Sequence, residues 1–191
     1  MNELAPPKFG MGASVRRVED TSLLKGEGTY TTDIAGDLTG YVLRSAAAHA
    51  NIKINGVDEA RRAPGVHLIL TGSDVGEIGN VACIGMGPTK DGTPIDIPPY
   101  PVLCPDIVRH VGDAIAFIVA DDQNAAKSAA ELIDVDYDIL PAVIDTGDAM
   151  KAAAPLVWAD RPQNLAFEYE QGDREATDAA FAAADKVAEL T

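Results

Sequence analysis

Apolar and polar positions along this chain fall into short, separate blocks. The longest apolar block, Ala114-Ile-Ala-Phe-Ile-Val-Ala120, has no polar interruption. A continuous run of that length predicts a strand covered on both faces, with Phe117 at its centre as a candidate for a fully buried ring. Asp121 or Asp122 can then cap a helix, because a carboxylate accepts the free N–H groups of a first turn. Ala125, Ala129 and Leu132 follow on one helical face. From Ile133 to Ile139 the pattern alternates strictly. Ile133, Val135, Tyr137 and Ile139 point toward a core, and Asp134, Asp136 and Asp138 toward water. The stretch 114–139 therefore predicts a strand–helix–strand unit, ended by Pro141.

Weaker signals flank it. Tyr41–Ser45 and Val66–Thr71 predict strands, and Asp58–Arg62 a turn or two of helix stopped by Pro64-Gly65. The glycine- and proline-rich stretch 72–105 carries weak strand signals at Val81–Ile84 and Tyr100–Leu103. Leu165, Phe167 and Tyr169 alternate with Ala166, Glu168 and Glu170 and predict another strand. Asp173–Ala184 predicts a helix that could bury Ala179, Phe181 and Ala182. Residues 1–13, with Pro6-Pro7, Gly10 and Gly12, read as an irregular arm. The element order suggests an α+β fold around a mixed sheet.

Composition narrows the function classes. The chain has 191 residues, 47% of them hydrophobic, with 15 Lys+Arg against 30 Asp+Glu and a net charge of -15. Enough apolar material is present for a core. A surface this acidic repels phosphate backbones and anionic lipid, so neither nucleic acid nor membrane is an expected partner. No apolar run approaches the roughly 20 residues of a membrane span, and the N-terminus does not read as a signal peptide. Two cysteines cannot form a secreted disulfide framework, so a cytoplasmic location is expected.

Candidate chemistry is sparse. His49, His67 and His110 lie at no metal-ligand spacing from one another or from Cys83 and Cys104. They read as core or surface histidines, with His67 opening a buried strand. A Cys104/His110 nucleophile–base pair is conceivable and weakly supported. The glycine pairs Gly10/Gly12, Gly26/Gly28 and Gly85/Gly87 match no phosphate-binding loop, and Gly26, Gly28 and Gly112 read as turn residues. Arg17 could pair with Glu19, Asp20 or a later domain, and Tyr30 and Tyr137 read as packing residues. From these residues no catalytic, cofactor-binding or metal site emerges.

Several stretches resemble the N-terminal part of the large, molybdenum-binding subunit of the xanthine dehydrogenase, aldehyde oxidase and carbon monoxide dehydrogenase family. They are Ser14-Val-Arg-Arg-Val-Glu-Asp20 with Leu23–Tyr30 and Asp33-Ile34; Arg44-Ser45 with Ala48-His-Ala50 and Ile52; and Ala63-Pro-Gly-Val66 with Thr71-Gly72 and Asp74-Val75. The longest runs from Val108-Arg-His-Val-Gly112 through Ala116, Val119-Ala120, Ala129–Leu132 and Val135–Tyr137 to Leu140-Pro-Ala-Val143. Gly172-Asp173 with Ala180-Phe181 is the last. The style of the opening is similar to the carbon monoxide dehydrogenase or bacterial aerobic-type branch.

The resemblance implies an α/β-hammerhead domain over 14–172, followed at 173–191 by a helix and the truncated start of a next segment. It implies an oxidoreductase that hydroxylates or oxidises an aldehyde, an N-heterocycle or carbon monoxide at a molybdenum–pterin centre, with water as the oxygen source. FAD and [2Fe-2S] clusters would sit on partner subunits or domains. The pterin and catalytic motifs lie beyond the hammerhead in that family, so this chain alone is expected to bind no cofactor and to be inactive. Its expected partners are the remainder of the large subunit and the FAD and iron–sulfur subunits. The truncated face is expected to expose an apolar patch after Gly172, through which the chain could self-associate. A free-standing binding or interaction module of the same fold is the alternative, and a Cys104/His110 hydrolase a distant third.

Overall fold

The computed structural model describes residues 17–34, 36–82, 89–95 and 97–190. The apolar run forms β5 (Ala114–Ala120), preceded by β1 (Thr39–Arg44), β2 (Ala50–Asn55), β3 (Val66–Thr71) and β4 (Ile107–Val108) and followed by β6 (Asp134–Ile139). The helices are α1 (Asp20–Leu24), α2 (Val57–Ala60), α3 (Gln123–Glu131), α4 (Thr146–Ala149) and α5 (Arg174–Ala183). The strands form two three-stranded sheets, ordered β1-β5-β3 and β4-β2-β6, with every pairing antiparallel. The α+β reading stands.

The expected mixed sheet becomes two antiparallel ones, and the two strands of the 114–139 unit lie in different sheets. The reason is β2, a strand the sequence reading did not assign. It pairs with β6 along its whole length, from Ala50 opposite Ile139 to Asn55 opposite Asp134, and takes β6 away from β5. Ala50, Ile52 and Ile54 alternate with Asn51, Lys53 and Asn55, so a period of two was present. Asn, Lys and Ala are poor strand formers, and that masked it. The polar face is cross-linked: Asn51 Nδ2 donates to Asp138 Oδ2 at 3.2 Å and Asn55 Nδ2 to Asp136 Oδ2 at 2.9 Å.

β5 is covered on both faces, as its apolar run predicts. Ala116, Ile118 and Ala120 pack with Ala126, Ala129 and Ala130 of α3 and with Ala60, Ile69 and Ile133. Ile115 joins Ala50, Ile52, Cys104 and Val108 in a second cluster. Phe117 is half-buried rather than fully buried, because its ring lies over Gly40 on the edge strand β1. Asp122, not Asp121, caps α3 by accepting from Asn124 and Ala125 N–H. Leu132 lies past the last turn of α3 as its C-cap and is exposed. On β6, Val135 and Tyr137 are half-buried and the three aspartates exposed as expected, but Ile139 is 67% exposed. The second core cluster takes in Val135 and Tyr137 and ends before Ile139.

Other expectations failed for want of a partner. Residues 165–169 form no strand. Among the described residues its backbone bond to another segment is Lys90 N–H to Glu168 O, and one bond makes no ladder. The segment is tied instead by Glu170, which holds both Arg174 and Lys90. Near 80 and 101 the pairing is a single bridge, Asn80 to Pro101, with Val81 N–H on Tyr100 O. Cys83 and Ile84 lie outside the described residues, as do the arm 1–13, Gly85 and Gly87. α5 forms as predicted, capped by Asp173, but none of its residues is buried, Ala179, Phe181 and Ala182 included.

The chain divides into two units, one up to Asp37 and one from Leu38. In the first, Tyr30 is 63% exposed rather than a packing residue; its N–H donates to Asp33 Oδ2 at 2.8 Å. Arg17 is exposed and pairs with neither Glu19 nor Asp20 among the described contacts. No helix of the described residues is long and apolar enough to cross a membrane.

Gly56 is the backbone position the second unit tolerates least. It caps α2 at φ +76°, and a Cβ there would sit 2.2 Å from Leu132 O, a backbone atom. Gly56→Ala is expected to cost more than about 1 kcal/mol, whereas Gly76→Ala, with open space around it, should change little; urea unfolding of both decides. Ile118→Ala leaves a cavity at the centre of the first cluster and should lose about 2–5 kcal/mol. Asp136→Asn trades one exposed hydrogen-bond partner for another and should lose less than about 1 kcal/mol. Comparable losses in these two variants would mean that the burial of β5 and β6 is wrongly assigned.

Candidate functional site

Three connecting segments meet at one end of the two sheets. The first, 45–49, leaves β1. Ser45 N–H donates to Asp113 O and Gly112 N–H to Ser45 O, both at 2.8 Å, and Arg44 Nη1 donates to Gly112 O at 2.9 Å. The second, 109–113, precedes β5 and turns sharply at Gly112, where φ is +94°. The third, 140–144, leaves β6; Leu140 N–H donates to His49 O at 2.9 Å. These are the segments in which Arg44-Ser45, Ala48-His-Ala50, Arg109–Gly112 and Leu140–Val143 carry the family resemblance. The structure brings them together from positions up to about a hundred residues apart in the chain.

Asp113 organises the second segment. It is 3% exposed and its Oδ2 accepts from Arg109 N–H at 2.6 Å and His110 N–H at 3.3 Å. Its Oδ1 lies 3.0 Å from His110 Nε2. Tyr100 stacks on His110 with its hydroxyl 3.3 Å from the same nitrogen. A buried carboxylate is tolerated when donors surround it, and Asp113 is so surrounded.

Cys104 lies beneath this loop, free and buried. Burial, with the adjacent Asp113 charge adding to it, pushes its thiol up to about 12. A thiol held protonated is a poor nucleophile and a poor metal ligand. The Cys104/His110 pair is therefore not an activated dyad: Asp113 is the partner of both residues.

A cleft of about 360 Å³ opens between the three segments, lined on its polar side by His49, Arg109 and His110. His49 is 9% exposed; its Nδ1 lies 2.9 Å from Pro141 O and its Nε2 has no partner. The Arg109 guanidinium lies 5.2 Å from the centre of the Trp158 ring. Sequence reasoning singled out His49 and His110 without connecting them and did not single out Asp113 or Trp158. The single tryptophan of the chain was the one signal available for the latter. His67 is not part of the site. It is exposed rather than buried, at the start of β3, with Nε2 2.7 Å from Asp121 Oδ1.

Among the described residues no three His, Cys, Asp or Glu side chains converge as a metal would require. Of the thiols, Cys104 is held protonated, and Cys83 lies outside the described residues.

Comparison with known proteins places this geometry. Residues 25–141 match the family model of the aldehyde oxidase and xanthine dehydrogenase a/b hammerhead domain. The carbon monoxide dehydrogenase large chain of Afipia carboxidovorans is 36% identical over 97% of this chain and 24% of its own length. The aldehyde oxidoreductase of Megalodesulfovibrio gigas is 34% identical over 88% of this chain and 19% of its own. Among solved structures, reconstituted CO dehydrogenase from Oligotropha carboxidovorans superimposes with a TM-score of 0.67 at 34% identity, covering 93% of this chain and 23% of that one. The chain thus spans about a fifth to a quarter of the length of these relatives. Its two antiparallel sheets, its helices and its sequence agree in one assignment: the chain belongs to the aldehyde oxidase and xanthine dehydrogenase family of molybdenum hydroxylases, through the α/β-hammerhead domain.

Proposed function

We propose that this chain is the N-terminal structural domain of the large subunit of a molybdenum–pterin-dependent oxidoreductase, with the hammerhead over 14–172, and that it carries no catalytic residue of its own. The match over 25–141, in a chain about a quarter the length of the carbon monoxide dehydrogenase large chain, carries the reading. The molybdenum–pterin centre, bound elsewhere in the large subunit, supplies the oxidation of an aldehyde, N-heterocycle or carbon monoxide. FAD and iron–sulfur partners take the electrons, in the cytoplasm.

The contribution of this chain is then a docking face. α5 and the residues after it present Ala176, Ala180, Phe181, Ala184 and Val187 to solvent, with Phe181 58% and Val187 59% exposed. A face of this kind marks an interaction surface. The remainder of the large subunit covers it in the whole enzyme, and in its absence a second copy can.

The purified chain should contain neither molybdenum, iron nor flavin in stoichiometric amount. Elemental analysis and a visible spectrum check this, and one equivalent of any of them overturns the reading. Light scattering should show self-association at high concentration that Phe181→Asp with Val187→Asp abolishes. A wild-type chain that stays strictly monomeric would count against the exposed face as an interface.

A further inference from the structure

We propose that the cleft bounded by His49 and Arg109 binds a small organic carboxylate, a role independent of the structural function above. The first argument is charge. The chain carries a net charge of -15, yet no Asp or Glu lines this cleft and Arg109 is the one formally charged residue that does; of the two histidines beside it, His110 already holds Asp113 on Nε2 and His49 does not. The Arg109 side chain is half-buried over Trp158, and no carboxylate pairs with it among the described residues. A guanidinium withdrawn from water without a counter-charge is costly, and a carboxylate is its complementary partner.

The second argument is an unmet hydrogen-bonding requirement. His49 is nine-tenths buried. Pro141 O can only accept, so Nδ1 carries the hydrogen of that 2.9 Å contact. That leaves Nε2 with no partner, and the buried Arg109 Nε is also unpartnered. Buried polar atoms are normally satisfied, and two on facing segments of one cleft point to a ligand that completes them. A carboxylate does so when it brings one proton from solvent: one oxygen accepts from Arg109, and that proton lies between the other oxygen and His49 Nε2.

The third argument is shape. The remaining wall is apolar, built from Val111, Val143, Ile144 and Val157, and the cleft holds about 360 Å³. That is the low end of the size range of small-molecule sites, which combine apolar walls with a few convergent polar groups. The ligand class is therefore a monocarboxylate with a compact apolar body of about one ring.

Trp158 is the one tryptophan of the chain and lies against Arg109, so its fluorescence reports on the site directly. The 191-residue chain is titrated with benzoate and, in parallel, with the uncharged isostere benzamide. Benzoate should give a saturable change at millimolar concentration or below, with benzamide at least tenfold weaker. Arg109→Gln should weaken benzoate at least tenfold, while Arg62→Gln, exposed and away from the cleft, should leave it unchanged. Ala142→Phe, on the exposed cleft wall, should block binding and serves if the Arg109 variant does not fold. No saturable response, equal responses to benzoate and benzamide, or unchanged affinity in Ala142→Phe would each overturn the proposal.

Discussion

One strand holds the second unit together. β5 is buried on both faces and has a paired neighbour on each edge, so its alternate side chains serve two different cores. Ala116, Ile118 and Ala120 face α3, whose contact surface is alanine. Small side chains on both partners let the helix sit close to the sheet, and the packing carries little volume to spare. Ile115, pointing the other way, meets β2 and β4 of the second sheet. Polar substitution at any of these positions strands a group with no water and no partner, which is why an uninterrupted apolar heptapeptide is the strongest signal in the chain.

The second sheet solves a different problem. Three aspartates on alternate positions of β6 would repel one another on a bare surface. β2 sets Asn51 and Asn55 within hydrogen-bond reach of Asp138 and Asp136, and Lys53 directly opposite Asp136. The acidic face thereby becomes a cross-linked one. The same carboxylates protect the outer edge of β6, since charged edge strands resist pairing with other chains.

The loops that leave these two sheets meet at one end and inherit their rigidity. Asp113 fixes the turn before β5 by collecting two backbone N–H groups and His110. The 45–49 segment is tied by backbone bonds to the 109–113 turn on one side and to Leu140 on the other, where His49 Nδ1 also meets Pro141 O. The cleft at His49 and Arg109 is the space these constraints leave. It concentrates cationic and imidazole groups on a strongly acidic molecule, and this asymmetry is a property of the packing rather than of the composition.

Local pattern was sufficient where an element is defined by its own residues. The β5 run, an aspartate-capped α3 followed by β6, β3, and α5 are all legible from local pattern, because each signal lies within a few consecutive side chains. Family membership was legible as well, through short stretches in a fixed order. Tertiary structure alone decided which strands pair. β2 became a central strand despite residues with low strand preference, because β6 and β4 were there to receive it. The alternation at 165–169 became no strand, because among the described residues a single backbone bond, Lys90 N–H to Glu168 O, reaches it from another segment. The site depended on the same step. His49, Arg109 and Pro141 are far apart in the chain and become neighbours only once two antiparallel sheets bring their connecting loops to a common end, and hydrogen bonding across loops leaves no periodic mark in a sequence.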